Sequence, residues 1–303
     1  MINIENIISR YDLPIHTFKE LKSGYSNAKK FTLFSKNNEP LYILKIYDIK
    51  KMDRIKLQFN LLKKHYENGV LCHQPIAFGI DEKKQICYLV LSYVGGISGD
   101  VVLSSMEPDL QNKVGIQAGE QLSKLHLITQ NSSFNWYKKR LEKYQNKIKI
   151  CKELGLTFYK QKYIENYIDE HVSIIKNSRV CFQHDDFHPQ NLIIKDRKLN
   201  GIIDFDSFDW GDPLEEFFKL PKYTIQVSDY FAKGQIIGYF DNQIPDFFWT
   251  KYNLFVALNL HASQISGYSM GNLKYVQERT RHIIETHDFI NNREPEWFTN
   301  CNL

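Results

Sequence analysis

The feature that most limits the fold is a change of hydrophobic period part-way along the chain. "FTLFSKNNEPLYILKIY", Phe31 to Tyr47, alternates through two β-rich runs around the polar turn "SKNNEP", which predicts an antiparallel hairpin. "DRIKLQFNLLKKHYENG" follows, with Ile55, Phe59, Leu62 and Tyr66 at helical spacing and Gly69 where a C-terminal cap belongs. "PIAFGI" and "QICYLVLSYVGG" predict two more strands across the turn "DEKK". After Gly99 the character changes. "QAGEQLSKLHLI", "WYKKRLEKYQNKIKI" and "FYKQKYIENYIDEHVSII" read as helices, strands return only around 180–205, and the stretch from Pro213 to about Ile290 is helix-like again. The expected class is α+β, a small antiparallel-sheet part joined near 92–99 to a larger, mostly helical part. A chain of 303 residues is long enough for two such bodies.

Composition narrows the function classes. Hydrophobic residues at 43% and charged residues at 24% describe a folded chain, with 20 Phe and 18 Tyr to pack a core or line a cleft. The net charge of +4 comes without a long Lys/Arg block, so neither a nucleic-acid arm nor a membrane-binding patch is expected. Cys72, Cys87, Cys151, Cys181 and Cys301 contain no C-x-x-C pair, which fits a reduced cytoplasm. The start "MINIENIISRYDLP" lacks a basic region followed by an apolar run, and no apolar run reaches about 18 residues, so neither export nor membrane spanning is expected.

The chemistry concentrates in "HDDFHPQNLII", His184 to Ile194. His184 and His188 stand four apart, a spacing that serves zinc on a helix, but Pro189 forces His188 toward extended geometry and would end such a helix inside the motif. A second reading is a loop whose polar groups merely bond to one another. The third is H-x-D-x-x-x-x-N: His184, Asp186 and Asn191 in the catalytic-loop spacing of kinases, where the Asp receives the acceptor hydroxyl and the Asn holds Mg²⁺. Eighteen residues beyond Asp186, "GIIDFDSFDWGDP" supplies Asp204 where a second Mg²⁺ ligand belongs, and the two motifs together favour the third reading. Phosphoryl transfer needs groups of this kind, because charge gathers on phosphate oxygens and hard cations with oxygen ligands neutralise it.

Two upstream features bear on the same reading. "YILKIY" sets Lys45 mid-strand among apolar neighbours, where an unpaired ammonium is costly and a phosphate-contacting lysine is needed. "SGYSNAKKF", Ser23 to Phe31, is the one candidate for a loop of phosphate-binding amides, with Gly24 its single glycine. Neither G-x-x-x-x-G-K-[ST] nor G-x-G-x-x-G occurs, which removes the P-loop and Rossmann readings.

From about Leu21 to Leu220 the chain resembles the aminoglycoside phosphotransferase/choline kinase-like family, small-molecule kinases of the protein-kinase-like fold. The likeness rests on "SGYSNAKKF" as nucleotide loop, "YILKIY" as lysine strand, "LVLSYVGG" as hinge, "QLSKLH" as the helix before the core, and above all on "HDDFHPQNLI" and "IIDFDSFDWGDP". It implies a bilobal fold, lobes 1–94 and 95–303, with ATP or GTP as phosphate donor and Mg²⁺ as cofactor. It also implies Asp186 as base, Asn191 and Asp204 as metal ligands, and Lys45 as phosphate lysine. Ser26 and Asn27 would belong to the phosphate loop, and backbone around Ser92 and Val94 would meet the adenine. Two departures stand out. Gln58 occupies the place of the helix glutamate that usually pairs the lysine, leaving Asp204 or phosphate itself as partner, and Asp185 replaces a common glycine.

Six acids lie between Asp204 and Glu216. Asp212 with Pro213 reads as a helix cap with acids in the first turn, which leaves Asp209, and more weakly Asp206 and Glu216, as candidate contacts for a cationic acceptor. The expected acceptor is a small, amine-bearing molecule of aminoglycoside type. Choline, ethanolamine, a sugar or homoserine are alternatives, as is a nucleotide-binding pseudokinase that acts as an interaction module.

Overall fold

In the computed structural model, which describes residues 4–21, 28–130 and 134–301, helix α1 (Ile4–Arg10) leads into strands β1 (Thr17–Leu21), β2 (Lys29–Phe34) and β3 (Pro40–Asp48). Helix α2 (Met52–Glu67) and strands β4 (Pro75–Asp81), β5 (Ile86–Ser92) and β6 (Ile97–Ser98) follow. Then come α3 (Gly99–Val102), α4 (Pro108–Leu125), α5 (Trp136–Glu153), α6 (Gln161–His171), β7 (Cys181–Gln183), β8 (Leu192–Lys195), β9 (Lys198–Ile202) and β10 (Asp209–Gly211). The chain closes with α7 (Asp229–Tyr239), α8 (Phe248–Ser269), α9 (Leu273–Thr286) and α10 (Glu296–Thr299). Contacts divide it into two compact units, one of residues up to Ser98 with Asn191–Ser207, the other of Gly99–Gln190 with Phe208 onward.

The first unit is built on a five-stranded antiparallel sheet in the order β1-β2-β3-β5-β4. β2 and β3 form the hairpin expected from the alternating text, closed at Ser35–Glu39 by the Ser35 N–H donating to Glu39 O at 2.9 Å. β3 is interior to the sheet and reads as a continuous apolar run because Ile43 to Tyr47 are all buried, Lys45 included. On one face Ile4 and Ile7 of α1 pack with Leu33, Leu44, Ile46, Tyr88 and Val90. A smaller sheet, β6-β8-β9, completes the unit and is tied to it where the Ile202 N–H donates to Leu71 O at 2.7 Å.

Helix α2 lies where its periodicity placed it, and Gly69 takes φ +72 past its end, the left-handed cap that glycine adopts at low cost. Its inward face differs from the expected one. Ile55, Gln58, Leu61, Leu62 and His65 are buried, whereas Tyr66 is 44% exposed. Two polar residues turn the stripe: Gln58 donates inward to Asp206 at 2.9 Å, and the His65 ring packs 6.1 Å from Phe205.

In the second unit α8 runs buried on most of its circumference, as its aromatic, all-round apolar sequence requires. A two-stranded ribbon pairs Gln183 of β7 with Asp209 of β10, and Asp212 then caps the 3₁₀ turn Pro213–Lys219 by accepting from Leu214 N–H at 2.8 Å. Helices α4 and α7 meet backbone to backbone. A Cβ on Gly115 or Gly119 would lie 2.2 Å from Phe231 O or 2.1 Å from Gln235 O, and one on Gly234 or Gly238 2.3 Å from Asn112 O or 2.1 Å from Ile116 O. All five cysteines are buried free thiols, and none of the described helices is long and apolar enough to cross a membrane.

The seam between α4 and α7 generates a test in which two effects oppose. Glycine to alanine in a helix interior normally gains about 1 kcal/mol, but overpacking against a rigid neighbour costs about 1–3 kcal/mol. Here the neighbour is main chain and cannot turn aside, so Gly119→Ala is expected to lower the thermal midpoint, whereas Lys113→Ala, exposed on the same helix, shifts stability by no more than about 0.5 kcal/mol. Circular-dichroism melts of the two variants decide it.

Candidate active site

The first unit holds a lysine that must find counter-charges. Strand pairing sets Lys45 opposite Leu89 on β5 and Lys30 on β2, with 4% of the residue exposed. Its Nζ donates to Asp204 Oδ1 at 3.0 Å and to Asp206 Oδ1 at 2.9 Å. Asp204, two residues past the end of β9, has φ +64, a left-handed conformation that Asp tolerates better than most side chains. Asp206 lies in the 3₁₀ turn Phe205–Ser207, and its Oδ1 also accepts from Tyr47 Oη at 3.1 Å and Gln58 Nε2 at 2.9 Å. Burial by itself lowers the Lys45 ammonium, but Asp206 and Asp204 outweigh it and hold it above its ordinary value. Burial pulls Asp206 the other way, yet Lys45 and the Gln58 hydrogen bond keep its carboxyl well below the usual range.

Gln58 therefore sits in the lysine's environment, as its sequence position suggested, but it serves the carboxylate rather than the ammonium. The charge comes from Asp204, the partner expected from sequence, and from Asp206. The sequence marks Asp206 only as a weak candidate for substrate contact, although its position two residues after Asp204 is legible there. Asn191 is brought beside Asp204: its carbonyl accepts from Ile203 N–H at 2.9 Å, so the two expected metal ligands flank one backbone bond. Around the hinge, Ser92 N–H donates to Gln74 O at 2.8 Å and Ser92 O meets His73 Nδ1 at 2.6 Å, so the Ser92 backbone is already engaged. Val94 covers Gly201, where a Cβ would lie 2.5 Å from its Cγ1. Ser26 and Asn27 lie outside the described residues.

In the second unit, β7 runs into the Asp186 loop. His184 is fully buried and its Nδ1 accepts from Asp186 N–H at 3.3 Å, while the His188 ring stacks 5.0 Å from Tyr223, so the two imidazoles go to different partners. Among the described residues no group of three or more His, Cys, Asp or Glu is placed to hold a metal ion. Asp185 adopts φ +62, the conformation that explains a glycine at this place in related motifs. Its N–H donates to Glu216 Oε1 at 2.7 Å. The Asp186 carboxylate, 39% exposed, accepts from Lys219 Nζ at 3.0 Å, and that lysine is 7% exposed.

Glu216 is 2% exposed, and its Oε2 is buried without a hydrogen-bond partner among the described residues. Burial, then the Asp185 carboxylate, pushes it up to about 8, so it is mostly a neutral acid at pH 7. Asp209 is paired with Lys139 at 3.0 Å, Glu215 with Arg140 at 2.6 Å and Asp212 with Lys251 at 2.8 Å. In α8, Tyr252 and His261 are fully buried and Trp249 nearly so, which withdraws these rings from a substrate. Lys219, which meets the carboxylate of Asp186, was not anticipated. It lies 33 residues downstream, and no local pattern marks it.

The model of the phosphotransferase enzyme family (APH) matches residues 17–252, a span that includes Lys45, Asp186, Asn191 and Asp204. No curated protein matches the chain in sequence. Among solved structures, the gentamicin complex of APH(2'')-IIa is 18% identical over 98% of this chain and 99% of that one, with a TM-score of 0.63. The streptomycin–ATP ternary complex of APH(2'')-IIa is 18% identical over 92% and 99%, also at 0.63. The GDP complex of wild-type aminoglycoside 2'-phosphotransferase-IIIa is 14% identical over 96% and 98%, at 0.60. At these identities the likeness is one of fold, that of the protein-kinase-like aminoglycoside kinases. The family match over most of its length shows that the chain belongs to the phosphotransferase enzyme family.

Proposed function

We propose that this phosphotransferase moves the terminal phosphate of ATP or GTP to a hydroxyl of a small molecule, with Mg²⁺ as cofactor. The observation that carries the reading is the buried Lys45 ammonium held between two carboxylates next to Asn191, in a chain whose family match also spans Asp186. The donor types fit a hard cation: Asp204 keeps a side chain 32% exposed, and Asn191, tied by its backbone to the neighbouring Ile203, carries an amide oxygen that would be the second ligand. Bound there, Mg²⁺ supplies positive charge to the phosphate oxygens.

Each residue has a part that its surroundings support. Lys45 contacts phosphate, and releasing Asp204 to the metal still leaves it Asp206. Asp186 accepts a hydrogen bond from the acceptor hydroxyl, aims its oxygen at phosphorus and takes the proton late. Lys219 keeps that carboxylate in one orientation. Glu216, expected from sequence to face substrate, is buried and holds the Asp185 amide instead, which ties the loop that carries Asp186 to the turn Pro213–Lys219. Ser26 and Asn27 in the phosphate loop, and the backbone near Ser92 and Val94 at the base, complete the reading by resemblance. An aminoglycoside acceptor draws support from the ligands of the structural neighbours, and Asp209 could meet its amines only by giving up Lys139. A location in the cytoplasm fits the five unpaired thiols.

Two variants separate chemistry from binding. Asp186→Asn is expected to lose about 10²–10⁴ in turnover while Mg²⁺–ATP still raises the thermal midpoint. Asp204→Asn leaves Lys45 paired with Asp206, so the fold stands while the metal-dependent part of that shift disappears. A thermal shift with Mg²⁺–ATP and Mg²⁺–GTP, followed by nucleoside-diphosphate release against a panel of hydroxyl acceptors, tests the reading. Nucleotide binding without turnover on any acceptor would leave a binding module.

The pH dependence follows from Glu216. Its folded value of about 8 is above the ordinary 4.5, so its contribution to stability is complete below 4.5 and is lost as pH rises through 8. The Glu216→Gln variant, which retains an acceptor for the Asp185 amide, is expected to gain in thermal midpoint relative to wild type between about pH 5 and about pH 8.5. Parallel curves for the two proteins would contradict a neutral Glu216.

A further inference from the structure

Beside Asp186 the second unit carries a cationic and aromatic cluster of which only Lys219 has a role so far. Tyr223 is its centre. From that ring's centroid Lys219 Nζ lies 5.7 Å away, Lys222 Nζ 5.2 Å, Arg279 Cζ 5.5 Å and the His188 ring 5.0 Å. Arg279 also lies 5.9 Å from the Tyr275 ring, and the Gln226 amide oxygen, turned to satisfy its neighbours, accepts from Arg279 Nε at 2.6 Å, Nη2 at 3.0 Å and Nη1 at 3.2 Å, a neutral partner for the guanidinium. Lys219 is accounted for by Asp186 at 3.0 Å. Lys222 and Arg279 are not: among the described residues neither forms an ion pair with a carboxylate.

Both cations are partly withdrawn from water. Burial drives the Lys222 ammonium down to about 8, and the next-largest influences on it, Lys219 and Arg279, are like charges that outrank the carboxylates of Asp185 and Asp186. Burial likewise lowers Arg279. Cations gathered and desolvated without counter-charge are costly, and a bound anion relieves the cost. Four of the acids that follow Asp206 are engaged elsewhere: Asp209 by Lys139, Glu215 by Arg140, Asp212 by Lys251, and Glu216 by the Asp185 amide.

We propose that the acceptor carries an anionic group, a phosphate ester or a carboxylate, which Lys222 and Arg279 hold against the Tyr223 and Tyr275 rings while its hydroxyl reaches Asp186. The inference rests on Asp186 being the base and names the substrate class of that same site. The fork of Arg279 suits a two-oxygen contact with either anion, and Lys222 adds a point charge. Lys219 links the two ends, since it lies against the Tyr223 ring and against Asp186, and a hydroxy acid or a sugar phosphate carries both the hydroxyl and the anion. In the transfer the hydroxyl oxygen bonds to the terminal phosphorus, the bond to the bridging oxygen of the nucleoside diphosphate breaks, and the hydroxyl proton passes to Asp186.

Saturation-transfer NMR on the full chain tests it, with Mg²⁺ and an excess of a non-hydrolysable ATP analogue so that probe anions cannot occupy the nucleotide site. The probes are matched pairs, ribose with ribose 5-phosphate and glycerol with glycerate, together with the polycation kanamycin. We expect the charged member of at least one pair to bind more tightly than its neutral twin and than kanamycin, and the pair that responds tells phosphate ester from carboxylate. Lys222→Gln and Arg279→Gln should each weaken that probe about tenfold or more, and Arg279→Lys should recover part of the loss. Equal binding of charged and neutral twins, tighter binding of kanamycin, or variants that bind the charged probe as wild type does would overturn the proposal. Stabilisation of the wild type by Mg²⁺–ATP alone reports on the phosphotransferase reading separately, so the two can fail independently.

Discussion

The smaller unit is organised by one charge, the Lys45 ammonium at the centre of β3. An ion buried there without partners costs several kcal/mol, more than most single contacts return. The acids of the surrounding sheet stand at strand ends or on its edge strands, and among the described residues the counter-charges arrive from 159 and 161 residues downstream as Asp204 and Asp206. This requirement accounts for the discontinuity of the unit. Asn191–Ser207 belongs with the first residues of the chain because its two carboxylates complete a strand they do not pair with. Asn191 and Asp204 stand at the two ends of the same β8–β9 hairpin, and the bond from Ile203 N–H to the Asn191 carbonyl holds those ends together.

Two carboxyl groups show how environment divides labour. Asp206 accepts from Lys45, Tyr47 and Gln58 on one oxygen and is held ionised. Glu216 has a single amide donor and the Asp185 carboxylate close by, and is held mostly neutral. The first is a permanent counter-ion and the second a hydrogen-bonded brace, and neither is placed to exchange protons with an acceptor. Asp186 differs from both in being partly open to solvent while one of its oxygens is anchored by Lys219. Opposite environments on similar side chains are a common way to separate roles within one fold.

The hairpin, the extent of α2, its glycine cap and the mid-strand lysine were legible because each follows from local period or local turn chemistry. Which side of α2 faces inward was not, since Gln58 and His65 are buried for partners that approach from Phe205 and Asp206. The acids after Asp204 were read as a set because they are close in sequence. Their partners, Lys139, Arg140 and Lys251, lie 39 to 75 residues away, and pairing over such distances leaves no local mark. Asp212 is the exception: Asp-Pro at the head of a turn is a signature, and the cap is present, on a 3₁₀ rather than an α turn. Lys219, Lys222 and Arg279 passed unnoticed for the same reason as Lys139, since a single cation acquires meaning only from what faces it.

The seam between α4 and α7 was visible in the text as two glycines four apart on each helix, but nothing in that spacing says that the two pairs meet. Once they do, the helices touch through carbonyls rather than side chains, close enough for weak Cα–H···O contacts. Such a joint has no soft layer in which neighbours could repack around a substitution. Mutational drift is therefore barred at Gly115, Gly119, Gly234 and Gly238 while it runs freely a turn away, and descendants of this chain should diverge in their binding surfaces long before they diverge here.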